Sequence, residues 1–459
     1  MEGTAFIMRK YYHFIGIGGI GMSGIARLML ESGFRVSGSD LKENLITRQL
    51  AGLGAEIFLG HRAQNISQQD VVVYSSVITA DNPEVYQSRV LGIPLIKRAQ
   101  ALAELMRQKT VITVAGSHGK TTTTSLISYM LMEAGVCPTV AIGGILNNIQ
   151  TNACLGSGQF FVAEADESDG SFLSYTPKYS IITNIDHEHL DYYHNFSNVL
   201  AAFGLFIKQT LAGGCVFACF DDPCLLKLMR DYEGKRVFFG LDHSADICAK
   251  NIELHGLVSD FDCYFKDKFI LRFHLSLGGR HNISNALAVI GLGLELGIDL
   301  KHIRSSLEGY KGAGRRLEIK FQSDKYLVID DYAHHPSEIK ASLAAVANLK
   351  IKRKIIVFQP HRYTRTQLLL NDFIQSFALA DYLIITDIYA ASEQPIEGVS
   401  ALELLKKIKE HAPDKEAFYL PKEGILAHIL GIIREGDLVM TLGAGDIVRV
   451  SDALVRALK

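Results

Sequence analysis

Short apolar runs alternate with stretches of helical spacing along almost the whole chain, and most of the runs end in glycine, an acid or a histidine. Tyr12-His13-Phe14-Ile15 leads into the turn Gly16-Ile17-Gly18-Gly19-Ile20-Gly21-Met22-Ser23-Gly24 and a helix, and the next run, Phe34 to Ser39, stops at Asp40. Strands at Glu56 to Phe58, Asp70 to Ser76 and Pro94 to Ile96 follow, then a helix over Arg98 to Arg107. A new strand, Val111 to Ala115, sets a boundary near residue 108 and opens a second segment, 109–312. That segment holds buried strands at Phe160 to Ala163 and Tyr179 to Asn184, several β-like stretches after residue 212, and a helix from Asn282 to Leu296. The third segment, 313–459, alternates again, with strands at Tyr326 to Asp330, Lys354 to Phe358, Tyr382 to Thr386 and Asp437 to Thr441 and helices after Pro336 and Thr364. Apolar runs alternating with helical spacing predict parallel sheets with crossover helices. The fold class is therefore α/β with three domains, two Rossmann-like doubly wound domains flanking a central P-loop-type mononucleotide-binding domain.

Length supports that division, because 459 residues exceed what one ordinary core organises and give roughly two to four domains. Apolar residues make up 48% and charged residues 21%, which excludes extended disorder. A net charge of −2 argues against nucleic acid as a partner, and the one basic run, Lys350 to Lys354, reads as a solvated edge leading into a strand. No apolar run reaches membrane-spanning length. The first ten residues carry Glu2 and only a short apolar patch before Arg9, which does not make a signal peptide, and Met8 offers a second start. Seven cysteines without Cys-x-x-Cys spacing fit reduced thiols in the cytoplasm; Cys215, Cys219 and Cys224 read as part of a strand-like segment rather than as metal ligands.

The most specific chemistry lies at Ala115-Gly116-Ser117-His118-Gly119-Lys120-Thr121-Thr122. A strand that turns through glycines into a helix start offers backbone N–H groups to phosphate oxygens. Lys120 suits the β- and γ-phosphates, and the Thr121 hydroxyl suits Mg²⁺. Glu164, at the next strand end, can reach a hard cation, as can His189 beyond the third; a solvated acidic loop and capping histidines are the plain alternatives. The turn from Gly16 to Gly21 has dinucleotide-fingerprint spacing, and Asp40 stands near the place of a ribose-binding acid. Asn282 and Asn285 share a helix face and match an adenine edge, although Asn282 equally fits an N-cap. In the third segment, Asp330-Asp331-Tyr332-Ala333-His334-His335-Pro336 and Gln359-Pro360-His361-Arg362-Tyr363-Thr364-Arg365-Thr366 follow buried strands. Arg362 and Arg365 could clamp an anion there, or serve as surface ion pairs. Leu442-Gly443-Ala444-Gly445-Asp446 looks like a further phosphate turn.

Taken together and in order, the motifs at residues 16–24, 115–124, 164–169, 331–336 and 359–366 resemble the Mur ligases of bacterial cell-wall synthesis, over nearly the whole chain and nearest to their alanine-adding branch. The resemblance implies an ATP- and Mg²⁺-dependent ligase joining L-alanine to UDP-N-acetylmuramate through an acyl phosphate in cytoplasmic peptidoglycan synthesis. Residues 1–108 would bind the UDP sugar, 109–312 ATP, and 313–459 would close on ATP and the amino acid. Gly18, Gly19, Ile20, Gly21, Met22, Asp40, His61 and Ser75 would face the sugar nucleotide. Gly116, Ser117, His118, Gly119, Lys120, Thr121, Thr122, Asn282, Asn285, Arg315 and Asp330 would bind ATP, with Thr121, Glu164 and His189 on the metal. Tyr332, His334, His361, Arg362 and Arg365 would line the amino-acid side, and Lys120, His189, Arg362 and Arg365 would be catalytic. A monomer or weak homodimer is expected. Several later ligases of the family carry a carbamylated lysine at the position that matches Phe203, so no modified lysine is expected. The competing readings are a dehydrogenase using the Gly16 turn, a tripeptide-adding recycling ligase, and a catalytically silent nucleotide-binding protein.

Overall fold

The computed structural model describes residues 10–75, 77–391 and 393–459. The leader expectation and the predicted strand end Ser76 lie outside the described residues. The chain divides into two compact units, Met1–Cys248 with Leu287–Ser306, and Ala249–Ala286 with Leu307–Lys459.

Five strands form the first sheet: β1 (Tyr11–Ile15), β2 (Arg35–Asp40), β3 (Glu56–Leu59), β4 (Val71–Tyr74) and β5 (Leu95–Lys97). They are connected by α1 (Ile20–Glu31), α2 (Leu45–Gly52), α3 (Pro83–Val90) and α4 (Arg98–Met106). Their order is β3-β2-β1-β4-β5, all parallel. The order reverses between β1 and β4, and open α/β sheets bind ligands at the carboxyl ends beside such a switch. Buried strands of this type read as nearly continuous apolar runs, as Phe14, Ile15, Val72 and Val73, all fully buried, do here.

The second sheet is built in the same unit from β6 (Thr110–Ala115), β7 (Thr139–Leu146), β8 (Thr151–Cys154), β9 (Phe160–Glu164), β10 (Tyr179–Ile182), β11 (Cys215–Cys219) and β12 (Arg236–Gly240). Its helices there include α5 (Lys120–Glu133), α6 (Leu190–Tyr193), α7 (Phe196–Lys208) and α8 (Pro223–Met229). The order is β12-β11-β10-β6-β9-β7-β8, parallel except for the antiparallel edge strand β8. Cys215 and Cys219 are buried in β11. On α7, Phe203 is fully buried with its ring 5.3 Å from that of Phe172, a burial worth about 2 kcal/mol.

The division between units runs through β13 (Ile247–His255) and through α9 (Arg280–Glu295). The second unit adds β14 (Val258–Phe265), antiparallel to β15 (Lys268–Leu275), and α10 (Leu300–Glu308) belongs almost wholly to the first. The third sheet contains β16 (Glu318–Gln322), β17 (Tyr326–Asp331), β18 (Arg353–Phe358), β19 (Tyr382–Ile385), β20 (Glu416–Tyr419) and β21 (Asp437–Leu442). Its helices are α11 (Pro336–Val346), α12 (Tyr363–Leu368), α13 (Leu370–Ile374), α14 (Ala401–His411), α15 (Lys422–Ile432) and α16 (Val448–Leu458). The order β16-β17-β21-β18-β19-β20 is parallel apart from β16, and apolar layers on the two faces contain Phe358 and Leu383 on one side and Val357 and Ile384 on the other. Of the basic run, Lys350 and Lys352 are exposed ahead of the strand. Arg353 and Lys354 enter the central strand β18 and are compensated by Asp437 at 2.7 Å and Asp381 at 2.9 Å. Among the described residues no helix is long and apolar enough to cross a membrane.

Candidate active site

Because β6 lies between β10 and β9, the loop Gly116-Ser117-His118-Gly119 leaves the second sheet with a strand end on either side. Gly116 has φ +131°, and a Cβ there would sit 2.1 Å from Thr183 Oγ1, so only glycine fits. Asn184, beyond β10, braces the loop: its carbonyl accepts from the Ser117 N–H at 3.0 Å and its side-chain oxygen from the His118 N–H at 2.8 Å. The Asp186 N–H donates to Ser117 Oγ at 2.8 Å, and His118 Nε2 lies 3.0 Å from Asp186 Oδ2. Gly119 precedes α5 in the left-handed region without a side-chain cap, so no side chain caps the first turn, with Lys120, Thr121 and Thr122, whose N–H groups and helix dipole suit an anion.

Lys120 folds back over this loop. Its ammonium donates to Gly116 O at 2.6 Å, Ser117 O at 3.1 Å and Glu167 Oε1 at 2.8 Å. Burial favours the neutral amine, but Glu167, Asp166 and Glu164 overcome that cost and hold its pKa above the usual lysine value. The Thr121 hydroxyl donates to Glu164 Oε2 at 2.9 Å, and the Gly143 N–H donates to the same oxygen at 2.9 Å. His189 starts α6 with φ +56° and places Nε2 3.6 Å from Glu167 and 3.5 Å from Glu188. Burial pulls the His189 pKa down, but the hydrogen bond to Glu167 and the charge of Glu188 raise it on balance. Glu167, Glu188 and His189 bring one ligand atom each within 4.8 Å of one another, and Glu167 Oε2 is buried without a hydrogen-bond partner. A threonine hydroxyl, carboxylates and an imidazole suit a hard divalent cation, and the orphaned oxygen fits one as well. Glu188 escaped the sequence reading because its place beside Glu167 depends on the turn at His189.

At the first sheet, Gly16 (φ +77°) and Ile17 donate their N–H groups to Ser39 O at 2.8 and 2.9 Å. Asp40 Oδ2 accepts from the Gly18 N–H at 2.9 Å, so this acid braces the glycine turn. A Cβ on Gly18 would come 2.8 Å from both Asp40 and Asn44. Gly19 precedes α1, Ile20, Gly21 and Met22 form its first turn, and Ser75 follows β4 across the switch point. His61 Nδ1 lies 2.9 Å from Ser39 Oγ and 3.0 Å from Glu84 Oε2. Glu84 is fully buried, yet its pKa falls: burial opposes ionisation, while the His13 ring 3.4 Å away and hydrogen bonds from Ser39 and Asn65 outweigh it. This buried His13–Glu84 pair was not visible in the sequence, its only hint being a histidine inside an apolar strand.

In the second unit, Asn282 and Asn285 are both buried near the start of α9, and Asn282 is not its N-cap: the helix begins at Arg280, and the Asn282 amide donates to Gly278 O at 2.8 Å. Asn285 Nδ2 donates to Asn282 Oδ1 at 3.3 Å. Asp330 is fully buried, with Oδ2 accepting from Arg315 Nε at 2.9 Å and Oδ1 from the Thr441 hydroxyl at 2.5 Å. Each oxygen thus holds one partner, and Asp330 braces Arg315. In the turn Gly443-Ala444-Gly445-Asp446 the Gly443 N–H donates to Asp331 O at 3.1 Å. The turn's carbonyls at 443 and 445 accept from Arg315, and Asp446 brings its own negative charge, paired with Lys422 at 2.6 Å. The structure does bring together Tyr332, His334, His361 and Arg365. The rings of Tyr332 and His334 are 5.4 Å apart, those of His334 and His361 5.5 Å, and Arg365 Nη1 is 3.1 Å from His361 Nδ1. Tyr389, which the sequence did not single out, stacks on His361 at 5.6 Å, and its carbonyl accepts from the Arg362 N–H at 2.9 Å.

Three family models match the chain: the Mur ligase family catalytic domain over residues 11–110, the Mur ligase middle domain over 114–293, and the Mur ligase glutamate ligase domain over 315–445. The chain therefore belongs to the Mur ligase family. Among its relatives, the UDP-N-acetylmuramate–L-alanine ligase of Geotalea uraniireducens (strain Rf4) is 45% identical over 97% of this chain and 98% of its own length. The ligase of the same name from Pelobacter propionicus (strain DSM 2379 / NBRC 103807 / OttBd1) is 47% identical over 97% and 98%. The crystal structure of the UDP-N-acetylmuramate-alanine ligase of Thermotoga maritima superposes with a TM-score of 0.85 at 30% identity, covering 98% of this chain and 99% of that one.

Proposed function

We infer that this protein is the ATP-dependent ligase that joins L-alanine to the lactyl carboxylate of UDP-N-acetylmuramate in cytoplasmic peptidoglycan precursor synthesis. The observation that carries the reading is the pairing of Lys120 with Glu167 and of Thr121 with Glu164 around one glycine-built helix start. A carboxylate is a poor electrophile, so it needs activation before an amine can attack. The lactyl carboxylate oxygen attacks the γ-phosphorus of ATP, ADP leaves, and an acyl phosphate forms. The alanine nitrogen then adds to the acyl carbon, phosphate departs, and the nitrogen gives up a proton to leave the amide. Lys120 offsets charge developing on the transferring phosphoryl group, and the N–H groups of the loop and first helix turn cradle the other phosphates. Thr121, Glu164 and His189 would hold Mg²⁺, which when bound neutralises phosphate charge.

Roles divide along the chain. Residues 1–108 take the UDP sugar through Gly18 to Met22, with His61 and Ser75. Residues 109–312 take ATP, and 313–459 present Tyr332, His334, His361, Arg362 and Arg365 toward the amino acid and the γ-phosphate. Asn282 and Asn285 serve adenine.

The test is ADP release from purified protein with ATP, Mg²⁺ and UDP-N-acetylmuramate, adding L-alanine, glycine, serine or a tripeptide in turn. Dependence on both the sugar nucleotide and L-alanine is the expected result. Preference for a tripeptide would move the protein to wall recycling, and no ADP with any acceptor would sink the reading.

A further inference from the structure

The turn assigned to the sugar nucleotide and the loop assigned to ATP stand on different sheets of one unit, and one side chain lies against the first and bonds to the acidic loop whose neighbours engage the second. Arg98 opens α4 immediately after β5. Its Nη2 donates to Asp166 Oδ2 at 3.2 Å. On its other side Nη1 lies over Gly21, where a Cβ would sit only 3.0 Å away, so the missing side chain in the first turn of α1 makes room for the guanidinium. A cation beside the amino end of a helix is electrostatically unfavourable and stays only where anions compensate. Asp166 is that anion on the phosphate side.

Asp166 is also the residue that shapes the acidic loop. Its Oδ1 accepts from the Ser168 N–H at 3.0 Å, and its carbonyl accepts from the Phe172 N–H and the Ser171 hydroxyl, each at 3.1 Å. Glu164, the last residue of β9, and Glu167 on the loop, which engage Thr121 and Lys120, flank it. A shift of the guanidinium toward Gly21 or toward Asp166 therefore reaches the partners of the phosphate loop through two residues of backbone.

We propose that Arg98 is a positioning residue that couples occupancy of the UDP-sugar turn to the geometry of the ATP loop. This rests on the function inferred above. Coupling between two ligands is a reciprocal free energy, so it can be measured as the change one ligand makes in the affinity of the other, apart from turnover.

The experiment uses the full chain and titration calorimetry with a non-hydrolysable ATP analogue and Mg²⁺, without and with saturating UDP-N-acetylmuramate. The wild type is expected to bind the analogue about tenfold tighter when the sugar nucleotide is present, within the usual range for coupled sites. In Arg98→Ala that factor falls below about twofold while the affinity for the analogue alone changes by less than about threefold. Asp166→Asn gives the same loss, and the double variant loses no more than either single one. Gly21→Ala crowds the guanidinium without removing a charge and also lowers the factor. Arg98→Lys, which keeps the charge and loses the fork, retains an intermediate factor and carries the test if Arg98→Ala melts early. Wild-type coupling in Arg98→Ala, or no coupling in a wild type that turns over, overturns the inference and leaves the function standing. A wild type that neither binds UDP-N-acetylmuramate nor releases ADP overturns the function, and this inference with it.

Discussion

Lys120 shows how a buried charge is kept charged. Its side chain is only 13% exposed, and the charges of three carboxylates together with two loop carbonyls offset the lost hydration. When phosphate arrives, those partners are what it must displace or share. Lys120→Ala should abolish ADP release and leave UDP-N-acetylmuramate affinity within about threefold, because the lost charge acts on the transferring group. Equal loss of both would contradict the separation of roles. Asp166 makes a pH prediction. Burial raises its pKa, but Arg98 and Lys120 bring it down to about 2, below an unfolded value of about 3.9. A depressed folded pKa contributes stability that is present above the unfolded value and lost as pH falls from about 4 to about 2. The Tm gap between wild type and Asp166→Asn should therefore close over that window, and a gap constant from pH 7 to pH 2 would refute the pairing. Lys120, Thr121, Glu164 and His189 were legible because each lies in or just beyond a strand-end motif. Glu84 and His13 were not, since 71 positions of chain separate them and only the folded sheet makes them neighbours.

At the scale of elements, the phosphate loop is a strand end and a helix start fixed by one glycine. Gly116→Ala would press a methyl group into Thr183 and the Asn184 backbone while forcing an unfavourable φ. We expect at least a tenfold loss in ATP affinity, on the order of the 1–3 kcal/mol that such backbone strain stores; unchanged calorimetric affinity would show that the loop can re-form around alanine. The parallel strands were readable because buried strands are nearly continuous apolar runs bounded by turn residues. Their neighbours were not readable. The charges of Lys350 to Lys354 are plain in the sequence, while the aspartates that neutralise Arg353 and Lys354 come from other elements. Gly443 to Asp446 has phosphate-turn composition, but only the fold shows its carbonyls accepting from Arg315. Asn282 was ambiguous because helix starts are the least certain part of a sequence reading, and a shift of two residues changes its role.

For the molecule as a whole, length and alternation were enough for three α/β sheets, and five ordered motifs were enough for the family, whereas the edge strand β8 carried little signal. Within the first unit, that edge meets α1: Asn152 Nδ2 donates to Ile20 O at 2.6 Å, Arg27 Nη1 to Thr151 Oγ1 at 3.1 Å, and Gly24 admits the Asn152 amide. Ligand binding should show in global stability. A hundredfold excess of ATP with Mg²⁺ over Kd stabilises the native state by about 2.7 kcal/mol, read as a rise in Tm. Chelation with EDTA should remove most of that rise, and a shift indifferent to EDTA would exclude the Thr121, Glu164 and His189 set as metal ligands.

The ring of Phe203, sealed against Phe172, has a consequence for the medium in which the protein works. A ligase that completes its site by fixing carbon dioxide onto a lysine depends on the dissolved gas. At the position that the family resemblance matches to that lysine, this chain has the hydrocarbon ring of Phe203. Its ADP release should run equally fast in degassed, bicarbonate-free buffer and in buffer equilibrated with air, and stimulation by added bicarbonate would reveal an acceptor amine elsewhere in the site.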